Sequence, residues 1–187
     1  MIQKHNTPWA YFLTFRTYAT FLHGDSRLSV DKRHNIFGTD KIPHKPNLLH
    51  IMKKQCAEAE FILTNKQQEI VLTSICKTSA YFNWSLIAAH VRTNHIHALV
   101  RSTINKEKTL AKLKAYATQA LKTEFPELHS RKKFWSTHGS TKLIWHEEAV
   151  FPVMHYIIAE QGKPTALYYD EKLYASFDPK LYEILRG

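Results

Sequence analysis

Three side chains in this sequence have the chemistry to cut a phosphodiester, if the fold brings them together. The first two form a pair, His95 and His97, in Asn94-His95-Ile96-His97. The run around them, from Ser85 to Val91 and on through Ala98-Leu99-Val100, reads as extended chain. Positions i and i+2 of a strand project to the same side, so the two imidazoles can hold one divalent metal while Ile96 points into a core. The third is a phenol. In His155-Tyr156-Ile157-Ile158-Ala159-Glu160-Gln161, Tyr156 and Glu160 stand four apart and share a helical face. A metal held by His95, His97 and Glu160 would bind a phosphate oxygen and draw charge from phosphorus. Attack by Tyr156 would then give a covalent phosphotyrosine. Each group also has a plainer reading. Tyr156 is one of nine tyrosines and a helical tyrosine usually packs, while Glu160 can be a solvated acid at a helix end.

The elements that must position these groups follow from pattern. Ala10 to Thr20, aromatic and β-branched, reads as a strand. His23 to Asn47, with its glycines and prolines, reads as a loop insertion. Leu48 to Phe61 is a short helix or irregular. Thr64 or Asn65 can cap a helix reaching Tyr81. Trp84–Arg92 and His95–Arg101 read as neighbouring strands joined tightly at Thr93-Asn94. From Asn105 to Thr123, Leu110, Leu113, Ala117, Ala120 and Leu121 fall on one helical face, with Lys108, Lys112 and Lys122 opposite. Pro126 ends that helix, and Glu127 to Ser140 reads as irregular. Thr141 to Trp145 is a short strand. Glu147 to Gln161 is a helix with two acids in its first turn, stopped by Gly162 and Pro164. The aromatic tail from Thr165 should pack on the body. This order predicts an α+β domain spanning 1–187, a ferredoxin-like antiparallel sheet with helices packed on one face.

Composition narrows the partners. The chain carries 26 Lys and Arg against 16 Asp and Glu, a formal charge of +10. Between Arg101 and Lys142 stand ten basic residues and three Glu, so the excess lies just after the histidine pair. Such a surface suits a polyanion. Lys108, Lys112, Arg131, Lys132 and Lys133 can follow a phosphate backbone, and Phe134 or Trp135 can stack on a base or anchor the segment in the core. No apolar run approaches a membrane span and no signal region follows Met1, which predicts a cytoplasmic protein. Cys56 and Cys76 form no metal-binding pattern.

The segment Arg92-Thr93-Asn94-His95-Ile96-His97-Ala98-Leu99-Val100 resembles the signature of HUH-type single-strand DNA endonucleases, and most of all the single-tyrosine transposases of insertion sequences and their REP-associated branch. Tyr156-Ile157-Ile158-Ala159-Glu160-Gln161 resembles the segment carrying that family's nucleophile. Leu13-Thr14-Phe15-Arg16-Thr17-Tyr18 and the stretch from Trp135 through Gly139-Ser140-Thr141 to Trp145 look like the REP-associated branch. The resemblance implies that His95 and His97 bind Mg²⁺ or Mn²⁺ and that Tyr156 cleaves single-stranded, hairpin-bearing DNA to a 5′-phosphotyrosine and a free 3′-OH, with Arg16 and the basic residues named above on the DNA. The family's amide ligand stands four residues after the tyrosine. Here that position is Glu160, and Gln161 follows about 100° further round a helix. Glu160 is the favoured third ligand, with Gln161 as the other candidate. The sequence leaves monomer and homodimer open. A non-catalytic or domesticated nucleic-acid-binding module is the rival reading. A two-histidine, one-carboxylate iron oxygenase is a third, disfavoured by the basic surface.

Overall fold

Buried and half-exposed side chains alternate along Ala10–Thr17, the first strand, β1. Tyr11, Leu13 and Phe15 go into the main core, and Phe12, Thr14 and Arg16 project to the other side. The computed structural model describes residues 7–22, 25 and 45–177. The insertion expected at about 23–47 therefore lies almost wholly outside the described residues.

Helix α1 (Pro46–Lys54) opens on a proline, tolerated where the N–H has no helical partner. Helix α2 (Asn65–Tyr81) starts with a capping box, Thr64 and Gln67 each serving the other's backbone. The strands β2 (Ser85–Val91) and β3 (His95–Arg101) form the expected hairpin, in which Val91 faces Ile96 and His90 faces His97. Helix α3 (Lys106–Glu124) is capped by Asn105, which accepts from the Lys108 N–H at 2.8 Å. It buries Leu110, Leu113, Ala117 and Leu121, the face expected from their spacing. Then come β4 (Trp135–Ile144), α4 (Val150–Ala159), β5 (Ala166–Tyr169) and α5 (Glu171–Ser176).

The sheet order is β4-β1-β3-β2-β5, with every pair antiparallel. The first four strands with α2 and α3 make the ferredoxin-like unit, with α2 and α3 over one face. One part of the expectation is corrected: helices do not keep to a single face. Val150, Met154 and Ile157 of α4 bury against Ile87, Ala88 and Leu99 on the other side. The central strands are apolar on both faces, so a second layer must cover them. Two further differences have local causes. β4 begins at Trp135, not Thr141, because its first half is a polar edge strand with little burial to signal it. The tail forms β5, pairing with β2 at Ala88 to Val91. Gly139 is required where β4 crosses β1, since a Cβ there would stand 2.6 Å from the Thr14 carbonyl oxygen. Among the described residues no helix is long and apolar enough to cross a membrane.

Candidate active site

Strand alternation does what the spacing asks. Ile96 is wholly buried among α2 and α3 residues, and His95 and His97 project together on the opposite face, ring centroids 5.0 Å apart at 78°. Each ring is held at Nδ1. Thr14, the residue paired with His97 across β1 and β3, places Oγ1 2.8 Å from its Nδ1. His95 donates its Nδ1–H to Asn94 Oδ1 at 2.7 Å. Phe12 stacks on His97 at 5.6 Å and 27°, closing one side of the ring.

Helix α4 brings the phenol. The Tyr156 ring meets His97 edge-on, centroids 5.4 Å apart, and Phe12 at 6.0 Å. It remains about a third exposed, at 36%, so the phenol is open to a substrate while its ring is fixed. The site is thus assembled within one chain.

The helix ends at Ala159, and the backbone turns away through Glu160 (φ −98°, ψ 7°) and Gly162 (φ +73°). The Glu160 ψ of 7°, where a helix has about −42°, ends the regular 100° step before Gln161 is placed, and the left-handed Gly162 then turns the chain away. As a result the side-chain amide beside the histidines is that of Gln161, near enough to oppose the fall in basicity of both rings, with its Nε2 donating to the Tyr156 carbonyl at 3.4 Å. Glu160, favoured from sequence, is an exposed residue capping the helix with its N–H on the Tyr156 carbonyl. Among the described residues no three His, Cys, Asp or Glu side chains are placed to hold a metal together. A ligand set here rests on two imidazoles and an amide.

Electrostatics prepares those imidazoles. Burial pushes His95 down to about 4 against the opposing Gln161 contact, with Arg16, Arg92 and His90 adding to the fall. Burial and the neighbouring His95 push His97 to about 3. Both rings are therefore neutral near pH 7, each with a lone pair for a cation. With Nδ1 engaged, Nε2 is the nitrogen left to Gln161 or to a metal. Gln161 opposes the loss of basicity in both rings, and an amide side chain carries an oxygen of the kind a hard cation takes. Two neutral nitrogens and one amide oxygen fit a divalent ion of the Mg²⁺ or Mn²⁺ kind.

Of the residues expected on nucleic acid, Arg16 alone stands beside the histidines, paired with His95 in register and with its guanidinium 4.2 Å over Phe21. Lys108 and Lys112 ride on α3, on the far face of the sheet, and the Lys112 ammonium lies 4.2 Å over the Phe82 ring. Arg131, Lys132 and Lys133 dock on Glu58. Its carboxylate accepts from the Lys132 and Lys133 N–H groups at 2.8 and 3.0 Å and pairs with Arg131 at 3.7 Å. Trp135 sends its indole N–H to the Lys114 carbonyl (3.0 Å) and Thr118 Oγ1 (2.8 Å), its ring edge-on to Phe15, which is the anchoring alternative. Phe134 is buried beside Phe61.

Sequence reasoning missed Phe12, Thr14, His90 and Arg92. For His90 a signal existed. A hairpin tight at Thr93-Asn94 sets Val91 against Ile96 and therefore His90 against His97.

The IS200-like transposase family model matches residues 47–157, a span holding both histidines and Tyr156. Among solved structures, a REP-associated tyrosine transposase bound to a REP hairpin aligns at 12% identity and a TM-score of 0.45, over 81% of this chain and 65% of that one. No curated protein matches the sequence. With the family match running through more than half of its length, this chain belongs to the IS200-like transposases.

Proposed function

We propose that this protein is a metal-dependent endonuclease and strand transferase for single-stranded, hairpin-bearing DNA, with Tyr156 as nucleophile and His95, His97 and Gln161 holding Mg²⁺ or Mn²⁺. The observation that carries this reading is the Tyr156 ring 5.4 Å from His97, with His95 beside His97 at 5.0 Å in the same chain. No second copy is needed to complete the set.

The chain's own groups define the steps. Arg16 and Arg92 place positive charge beside the histidines and favour the approach of a phosphodiester. The bound cation would withdraw charge from the phosphate. Tyr156 Oη gives its proton to water and forms a bond to phosphorus. The bond from phosphorus to the 3′ oxygen breaks, and that oxygen takes up a proton to become a free 3′-OH. Attack of a 3′-OH on the phosphotyrosine reverses the balance, expelling the phenol and joining strands. Phe12 and Thr14 keep the His97 ring in place throughout.

The test uses a pool of DNA oligonucleotides, each with one hairpin and randomised single-stranded flanks, incubated with Mn²⁺. A protein–DNA adduct stable to denaturant is expected, absent with chelator and absent in Tyr156→Phe. An adduct that persists in Tyr156→Phe would remove Tyr156 as nucleophile. Salt-sensitive binding of the pool with no adduct under any metal would favour the non-catalytic module.

A further inference from the structure

His90 lies at the centre of β2 with no exposed surface, and nothing in the chemistry above uses it. Its Nδ1 is 3.0 Å from the carbonyl oxygen of Ile157, the residue after Tyr156. A carbonyl only accepts, so Nδ1 carries the proton and donates. Ile157 sits in the last turn of α4, where carbonyls have no helical partner, and the imidazole caps one of them. The other ring nitrogen, Nε2, has no hydrogen-bond partner among the described residues. An aliphatic side chain would fill this place without burying a bare polar atom, so packing alone does not account for a histidine here.

A second contact from the same strand runs in parallel. Arg92, two residues on, donates from Nη1 to the Lys163 carbonyl at 3.3 Å, and a Cβ at Gly162 would stand 3.5 Å from its guanidinium. His90 and Arg92 thus grip the chain on both sides of Gln161, at carbonyls one residue after Tyr156 and two after Gln161. His90 faces His97 in register, so the strand that grips α4 is the immediate neighbour of the strand that presents the histidines.

We infer that His90 is a positioning residue: its hydrogen bond to the Ile157 carbonyl sets where α4 holds Tyr156 over His95 and His97. The inference rests on the reading of Tyr156 as nucleophile. It assigns His90 no contact with DNA and no proton transfer. Removing the donor lets the end of α4 drift, and the cost falls on the chemical step and not on DNA binding.

The test compares His90→Phe, His90→Asn and His90→Gln with the full chain, on an oligonucleotide cleaved in the pool experiment, with Mn²⁺ and well below each protein's melting temperature. Asn carries an N–H where Nδ1 stands, and Gln carries it further out, where Nε2 stands. With DNA saturating, the first-order rate of adduct formation should fall by about 30-fold or more in His90→Phe and His90→Gln, and by no more than about threefold in His90→Asn, as expected for a misplaced nucleophile. The DNA concentration giving half the maximal rate should stay within about twofold. Should His90→Phe not fold, the contrast between Asn and Gln carries the decision. A wild-type rate in folded His90→Phe or His90→Gln, with Tyr156→Phe inactive, overturns the inference and leaves the nucleophile reading standing. Equal losses in folded Asn and Gln variants also overturn it. An adduct retained in Tyr156→Phe removes both.

Discussion

Thr14 and His97 are joined twice. Their Cα atoms are partners across β1 and β3, and Thr14 Oγ1 lies 2.8 Å from His97 Nδ1. The hydroxyl therefore sets the orientation of a ring whose other nitrogen faces the site. Thr14→Val keeps the shape and removes the hydrogen bond. The Mn²⁺ concentration needed for half-maximal adduct formation should rise by about tenfold or more, as for other partners of metal-binding histidines, and Thr14→Ser should restore it. An unchanged Mn²⁺ dependence in Thr14→Val would show that Phe12 alone orients the ring.

Gln161 and Glu160 differ in what they face. Gln161→Ala should cut the Mn²⁺-dependent rate by about 10- to 100-fold. Glu160→Ala, at an exposed helix cap, should stay within about twofold. The reverse order would mean that the end of α4 rotates to bring the carboxylate in when metal binds. Rates at matched Mn²⁺ decide between them.

Trp135 is anchored by its indole N–H and by Phe15. Trp135→Leu should lower unfolding free energy by about 2 kcal/mol in urea titrations, from lost packing and hydrogen bonds. DNA affinity of the folded variant should hold. A base stacked on this ring would instead show as a binding loss of about 1–3 kcal/mol.

Lys114 provides a pH signature. Its ammonium donates to the Ser136 and His138 carbonyls at 2.8 and 3.1 Å, and burial pulls it from an ordinary 10.5 to about 8. Below pH 8 both folded and unfolded chains hold this proton. Between about 8 and 10.5 the unfolded chain holds it more, so stability contributed through Lys114 rises with pH in that window. Relative to Lys114→Met, the wild-type urea midpoint should gain between pH 8 and 10 and run parallel below 8. A gap that shrinks across the window would contradict the burial of this charge.

Much of this could be read from residue order because the determining forces are local. The histidine pair needs only strand alternation, α3 needs only its apolar stripe and Asn105, and the hairpin needs only Thr93-Asn94. What was not legible depends on distant partners. β4 is polar at its start and becomes a strand by pairing with β1. The face chosen by α4 depends on the two-sided burial of β2 and β3. Gln161 reaches the histidines because the backbone leaves helical phase at Glu160, which a regular wheel cannot represent. Glu58, remote in sequence, pairs with Arg131 and holds the Lys132 and Lys133 backbone, leaving both lysines exposed.

Ile96, Ala98 and Val100 never touch a reactant, yet they choose which side chains do. Shifting β3 by one position against its neighbours would drive both imidazoles into the helical layer and offer Ile96 to the solvent face. Substitutions that loosen this apolar row should therefore disable cutting before they unfold the protein, because the misregistered chain can stay compact while presenting the wrong residues. In this domain the greasy side of one strand acts as the indexing key for its reactive side.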